Sequence, residues 1–160
     1  MKPRPRVVSV AGGSTCPPQE AALAEEVGRR LAEAGAILVC GGGGGVMEAA
    51  CRGAVDAGGW TVGFLPGAEQ GQGNAYLSLA VPTGLGEGRN VLVVRAGQAL
   101  IAIGGGYGTL SEIALGLKIG RRVVGLSTWT ATTPLGEAAG ILQAHTPEET
   151  VTLALAAADQ

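Results

Sequence analysis

Two side chains in this sequence stand where they can act on a bound molecule, Glu112 and Arg89, and three runs of glycine stand where they can hold one. The central run is Gly104-Gly105-Gly106-Tyr107-Gly108-Thr109-Leu110-Ser111-Glu112. Before it, Leu100-Ile101-Ala102-Ile103 is apolar, short and bounded by glycine, which predicts a buried strand. After it, Leu110, Ile113, Ala114 and Leu117 recur at helical spacing, so the glycines fall in a strand-to-helix turn. Such a turn aims unpaired backbone N–H groups and the positive end of a helix dipole beyond the strand, a place for an anion such as phosphate. Gly105, Gly106, Gly108 and Thr109 are expected to bind it, and the four glycines of the run keep side chains out of the approach.

Thr109-Leu110-Ser111-Glu112 also spells a capping box, in which the Glu112 carboxylate reaches back to the Thr109 N–H. Its position gives it a second option, because a carboxylate one turn into a helix that starts at the ligand can reach a ribose held there. Arg89, in Gly86-Glu87-Gly88-Arg89-Asn90, lies near a predicted helix start, where the dipole is unfavourable to a cation and an anionic partner is expected. It reads either as a surface arginine or as a planar fork that fixes a phosphate or a leaving base.

The elements that position these groups repeat one unit. Val7-Val8-Ser9-Val10 is a strand ending in Ala11-Gly12-Gly13-Ser14, and Pro17-Pro18 opens a helix carrying Ala22, Leu23, Val27 and Leu31. Ala36 to Cys40 is a second strand, followed by Gly41 to Gly45 and the helix start Val46-Met47-Glu48. Trp60 to Leu65 is a third strand, and residues 67–76, rich in Gly, Gln and Asn, form a loop long enough to cover a site. Leu77 to Val81 predicts a short strand ended by Pro82, Glu87 to Ala96 a helix apolar on several faces, and Arg122 to Leu126 and Ile141 to Ala144 the last strands. Thr146-Pro147-Glu148-Glu149 then caps a final helix reaching about Ala158.

Repeated strand–helix units with continuous apolar strands require a parallel sheet covered on both faces. The expected fold is α/β, a Rossmann-like doubly wound parallel sheet in three α/β/α layers, with residues 1–160 as one nucleotide-binding domain. Ligands on such sheets sit beyond the carboxyl ends of the strands, so the turns at Gly12, Gly41 to Gly45 and Gly104 to Gly108 are expected to border one crevice.

Several functions are excluded or disfavoured. In the two best registers of G-x-G-x-x-G the third glycine is Val46 or Thr109, which disfavours a dinucleotide, and no Gly-Lys-Ser/Thr occurs for a P-loop. A net charge of −2 with only two lysines, Lys2 and Lys118, argues against a nucleic-acid binder. Cys16, Cys40 and Cys51 lack paired spacing, and with His145 as the single histidine no metal site is proposed. Cys16, at a helix start, is expected to have a lowered thiol pKa, and Tyr107 is open to stacking on a base. No apolar run reaches membrane-spanning length or forms a signal peptide, and the expected location is the cytoplasm. Apolar residues make up 46% and charged residues 15%, a shortage of surface charge that predicts a homo-oligomer, a dimer or a tetramer.

GGGYGTLSE resembles the PGGxGTxxE signature of the LOG (LONELY GUY) and molybdenum-cofactor-carrier-like superfamily. In LOG enzymes the glutamate matching Glu112, with an arginine matching Arg89, acts in cleaving a base from ribose 5′-phosphate, through an oxocarbenium-like state that a carboxylate stabilises. The chain departs from LOG at Gly104, at Asn90 and in its second glycine loop, and there it is similar to the carrier-like branch, whose loop reads GGGGGVMEA and whose arginine is followed by asparagine. The resemblance runs from Val7 to the last helix. It implies binding of a phosphorylated nucleotide or nucleotide-like cofactor, a nucleoside monophosphate or a molybdopterin-type ligand; no cofactor is expected to be required. Gly12, Gly13, Ser14, Gly42, Gly43, Gly44 and Met47 would join the third turn in holding its phosphate. The alternative it implies is a phosphoribohydrolase acting on nucleoside 5′-monophosphates, with Arg89 and Glu112 catalytic.

Overall fold

In a computed structural model describing residues 1–160, the apolar runs become seven strands, all parallel, in the order β4-β3-β2-β1-β5-β6-β7. The strands are β1 (Val7–Gly12), β2 (Ile37–Cys40), β3 (Thr61–Leu65), β4 (Leu79–Pro82), β5 (Ala99–Ile103), β6 (Arg122–Leu126) and β7 (Leu142–Ala144). Five helices connect and cover them: α1 (Pro18–Glu33), α2 (Gly45–Asp56), α3 (Asn90–Ala96), α4 (Tyr107–Lys118) and α5 (Pro147–Ala158). The fold is the three-layer α/β/α Rossmann-like sheet that the repeated units require.

The two faces of the sheet are covered unequally. β5 shows why its sequence is apolar throughout: Ala99, Ile101 and Ile103 enter the core under α1, α2 and α5, whereas Leu100 and Ala102 face α3 and α4. The first core holds 22 buried residues and the second six, so the α3 and α4 side is the thinner layer. Ser9, on that side of β1, is fully buried and donates its hydroxyl to the Val93 carbonyl of α3 at 2.5 Å.

Several expectations change in detail. The helix predicted over Glu87 to Ala96 is a 3-10 turn at Gly86–Arg89 running into the seven-residue α3. Gly86, at φ 57°, and Gly88 do not sustain an α-helix, so the regular part begins at Asn90. Pro82 is the last residue of β4, an edge strand where its missing N–H leaves no ladder bond unmade. The 67–76 loop contains a 3-10 turn at Gln70–Gln72 and is pinned to the second glycine turn by Asn74, whose N–H donates to Gly42 O and whose Nδ2 donates to Gly43 O, both at 2.9 Å. No helix is long and apolar enough to cross a membrane.

The strand order fixes the ligand side. The chain builds outward from β1 to β4, then returns to place β5 against the other side of β1, so β1 and β5 flank the switch point of the sheet. The carboxyl ends of these two strands are Gly12 and Ile103, where the first and third glycine turns begin.

Candidate functional site

A cavity of about 550 Å3 opens at that switch point. All three glycine turns border it, through Gly12 and Gly13, Gly41, and Gly106 and Gly108. The turns pack on one another directly. Val46 N–H donates to Gly13 O at 3.0 Å, and a methyl group added at Gly13 would stand 3.9 Å from the Gly105 Cα. Gly45 has φ 59° and lies so close to Gly13 O and the Ser14 backbone that any side chain there would collide.

The helices that follow the glycine turns share one property at their starts. α1, α2 and α4 begin at Pro17, Gly44 and Gly106, none of which offers a side-chain cap to the first-turn N–H groups. By contrast, α5 is capped: Thr146 Oγ1 accepts from Glu149 N–H at 3.1 Å, and the Glu149 carboxylate accepts from His145 N–H at 2.9 Å. Of the three uncapped helices, α2 and α4 reach the cavity, through Met47 and through Gly108 and Thr109; no residue of α1 lines it, and on α2 one first-turn donor, Val46 N–H, is already taken by Gly13 O.

Arg89 and Glu112 both line the cavity. Arg89 comes from the 3-10 turn and is the single cation of the lining. Its Nε donates to Phe64 O at 3.0 Å, one terminal nitrogen donates to Asn90 Oδ1, and the other lies over Gly41, where an added methyl would stand 2.9 Å away. No carboxylate is paired with it.

The capping-box reading of Glu112 is corrected by the helix start. α4 begins at Tyr107 with Gly106 as N-cap, which puts Glu112 in the second turn, beyond reach of the free amides, and makes Thr109 a buried helical residue. Glu112 is 8% exposed. Burial pushes its carboxyl up to about 7, with the Arg89 guanidinium pulling the other way. The cavity therefore holds a carboxyl that exchanges its proton near neutrality beside an arginine with no counter-ion, a pair able to bind an oxyanion and to give or take a proton next to it.

Of the other residues expected at the site, Gly12, Gly13, Ser14, Met47, Gly106, Gly108 and Thr109 line this cavity. Gly42 and Gly43 line an adjoining hollow toward Leu65 and Gln72, and Gly105 lines another, beside Glu20 and Trp129. Gly44 is the N-cap of α2. Sequence reasoning placed Gly41 at the crevice only as part of its turn, and missed Thr15, Pro66, Gly86, Glu87 and Asn90 as lining residues. Gly41 and Asn90 adjoin predicted residues, but Pro66 joins the cavity only through the pairing of β3 with β2.

Three side expectations also change. The Cys16 thiol is raised rather than lowered, by burial first and then by the Glu20 carboxylate. Cys40 and Cys51, without pairing signal in the sequence, are both buried with Sγ atoms 3.6 Å apart. Tyr107, 83% exposed, packs on Trp129 with ring centroids 5.8 Å apart and lies outside the cavity lining.

The sequence model of the SLOG cluster4 family matches residues 5–152. The chain belongs to this family. An uncharacterized protein of Archaeoglobus fulgidus is 40% identical over 144 residues, 90% of this chain and 91% of that one. Among solved structures, the molybdenum cofactor binding protein of the phototrophic bacterium Rippkaea orientalis aligns with TM-score 0.84 and 31% identity over 96% of this chain and 97% of its own. The molybdenum cofactor carrier protein of Chlamydomonas reinhardtii aligns with TM-score 0.84 and 29% identity over 98% of this chain and 100% of its own. This member of the SLOG cluster4 family therefore has structural relatives that carry or bind a cofactor, in line with the carrier-like features of its glycine loop and its Arg89-Asn90 pair.

Proposed function

We propose that the chain binds and carries a phosphorylated nucleotide or nucleotide-like cofactor in the cavity at the β1/β5 switch point. The observation that supports this most is the convergence there of three glycine turns and the uncapped N-termini of α2 and α4 with an arginine that has no paired carboxylate. Phosphate would take the free amides of the glycine turns, and Arg89, fixed by Phe64 O and Asn90, would close on it from the side. A molybdopterin-type ligand fits the same donors at its phosphate end, with Ser14, Asn90 and Glu112 offering polar partners to a ring. Such a cofactor supplies redox chemistry to the enzyme that receives it, and the residues here would only bind and orient it. The relatives' cofactor binding supports this reading.

A second reading is favoured by Glu112. A carboxyl titrating near 7 beside a phosphate-anchoring arginine is suited to cleaving an N-glycosidic bond: the ribose–base bond breaks, the ionised carboxylate stabilises the oxocarbenium-like centre, and water adds to give ribose 5-phosphate and free base. Calorimetric titration with AMP and assay of released adenine separate the two. Saturable binding without adenine, weakened by Arg89→Gln, supports the carrier. Adenine release abolished by Glu112→Ala supports the hydrolase, and no AMP binding at all removes nucleoside monophosphates from both.

We also take residues 1–160 to act as one nucleotide-binding domain and the protein to assemble with itself. Leu79 on β4, Leu85 just before the 3-10 turn and Val91 on α3 are 47%, 57% and 40% exposed on or beside the thinly covered side of the sheet, and a second copy would bury them.

A further inference from the structure

The third glycine turn is held by two side chains that lie outside the cavity it borders. β6 ends at Leu126, which pairs with Ile103 at the end of β5, so the chain leaves β6 beside Gly104. Ser127 then takes φ 51°, the only positive φ at a residue other than glycine. Serine rarely adopts this left-handed conformation, and it persists only where the surroundings fix it. Just after it, Thr128 Oγ1 donates to Gly104 O at 2.5 Å and Trp129 Nε1 donates to Gly106 O at 3.1 Å. Both side chains line the hollow beside Glu20 and Gly105 and neither lines the switch-point cavity, whereas Gly106 does.

The two bonds set directions. In a planar trans peptide the carbonyl and the next residue's N–H point opposite ways, and every peptide bond here is trans. Fixing Gly104 O toward Thr128 therefore fixes Gly105 N–H away from it, and fixing Gly106 O fixes Tyr107 N–H, the first donor of α4. Gly104 and Gly105, at φ 51° and 96°, would otherwise leave the turn many shapes. The donors so oriented are unused: Gly105 and Gly106 N–H reach no backbone carbonyl, and α4 starts without a side-chain cap. Thr128 satisfies a carbonyl of the buried Gly104, which is reason enough for its bond. Trp129 has no such reason, because Gly106 is exposed and its carbonyl already accepts from Leu110 N–H at 3.1 Å. The indole is itself held by its contact with Tyr107 and by packing against the smaller core.

We propose that Thr128 and Trp129 are positioning residues for anion binding, holding the third turn from outside the cavity in the shape in which its free amides meet a bound phosphate. The proposal rests on the phosphate-binding reading of the switch-point cavity. It assigns to the segment after β6 a part in recognition that none of its residues plays by contact with the ligand.

The test combines AMP affinity by calorimetry with melting temperature and backbone 15N relaxation of the ligand-free chain. Thr128→Val keeps the side-chain shape and removes the hydroxyl, and Trp129→Phe keeps a ring against Tyr107 and removes the N–H. Each should weaken AMP binding about fivefold, the effect of one hydrogen bond, and should raise the mobility of the Gly105 and Gly106 amides. Thr128→Ser, which keeps the donor but loses the methyl, should bind as wild type does, a rescue that a packing role would not give. Thr146→Ala, far away at the α5 cap, shows what lost stability alone does to affinity, and should leave it unchanged. Should Thr128→Val fail to fold, Trp129→Phe alone decides, because Gly106 O keeps its bond from Leu110. The proposal is overturned by Trp129→Phe binding AMP as tightly as wild type, by Thr128→Ser losing as much affinity as Thr128→Val, or by unchanged relaxation at Gly105 and Gly106. Wild-type protein that binds neither AMP nor inorganic phosphate would strike the phosphate-binding reading instead, and relaxation of the free chain would then decide by itself whether the two side chains hold the turn.

Discussion

A carboxyl enclosed as Glu112 is holds its proton more tightly in the folded protein than in the unfolded chain, about 7 against an ordinary 4.5. The sign of its effect on stability follows: the contribution is full below about pH 4.5 and is lost as pH rises through 7, a difference of about 3 kcal/mol from the two values. Glu112→Gln, which stays neutral, should therefore melt like wild type near pH 4.5 and above it at pH 8, and thermal melts at the two pH values check this. A Glu112→Gln protein no more stable than wild type at pH 8 would mean the carboxylate is better solvated than its burial implies. Gly41 offers a second measurement at this scale. Gly41→Ala puts a methyl 2.9 Å from an Arg89 terminal nitrogen, so the guanidinium must move while the backbone need not. The expected result is AMP affinity down about tenfold, as for loss of one charge-assisted hydrogen bond, with an unchanged melting temperature. Of the two residues, Glu112 was legible in the sequence from its motif, whereas Gly41 was not singled out, because only the folded Arg89 side chain gives it a role.

Helix starts are where elements and function meet in this fold. Gly106 has φ −101° and open space where a side chain would go, so the α4 N-terminus accepts a capping residue without strain. Gly106→Asp should leave stability equal or up to about 1 kcal/mol higher and at the same time remove phosphate binding in the switch-point cavity, because the new carboxylate takes the amides and repels the anion. Removing a cap that exists should do the reverse: Thr146→Ala should cost about 1 kcal/mol in α5 and leave binding untouched. Both are read by melting curves paired with phosphate titration. The strands and the glycine turns were legible because continuous apolar runs broken by glycine have few other solutions. The start of α4 was misread since Thr109 and Glu112 have the spacing of a box, while the preceding Gly106-Tyr107 begins the helix three residues earlier. Over Glu87 to Ala96 the apolar pattern hid Gly86 and Gly88, whose backbone preferences divide the segment into a 3-10 turn and a short helix.

For the molecule as a whole, the unequal covering of the sheet bears on assembly. If a second copy covers the thin side, Leu79→Glu with Val91→Glu should convert the protein to monomers by light scattering, with circular dichroism preserved. Wild-type protein that is already monomeric would end that expectation. The order of the strands was not legible in the sequence, since local patterns say which segments are strands but not that β5 returns beside β1, and the convergence of distant turns depends on that return. The uncapped starts of α2 and α4 have a consequence beyond affinity. A cargo that supplies their missing partners also acts as a clamp across both helices, so filled molecules should resist heat and protease better than empty ones. In a cell, selective survival of the filled form would tie the amount of this protein to the supply of what it holds.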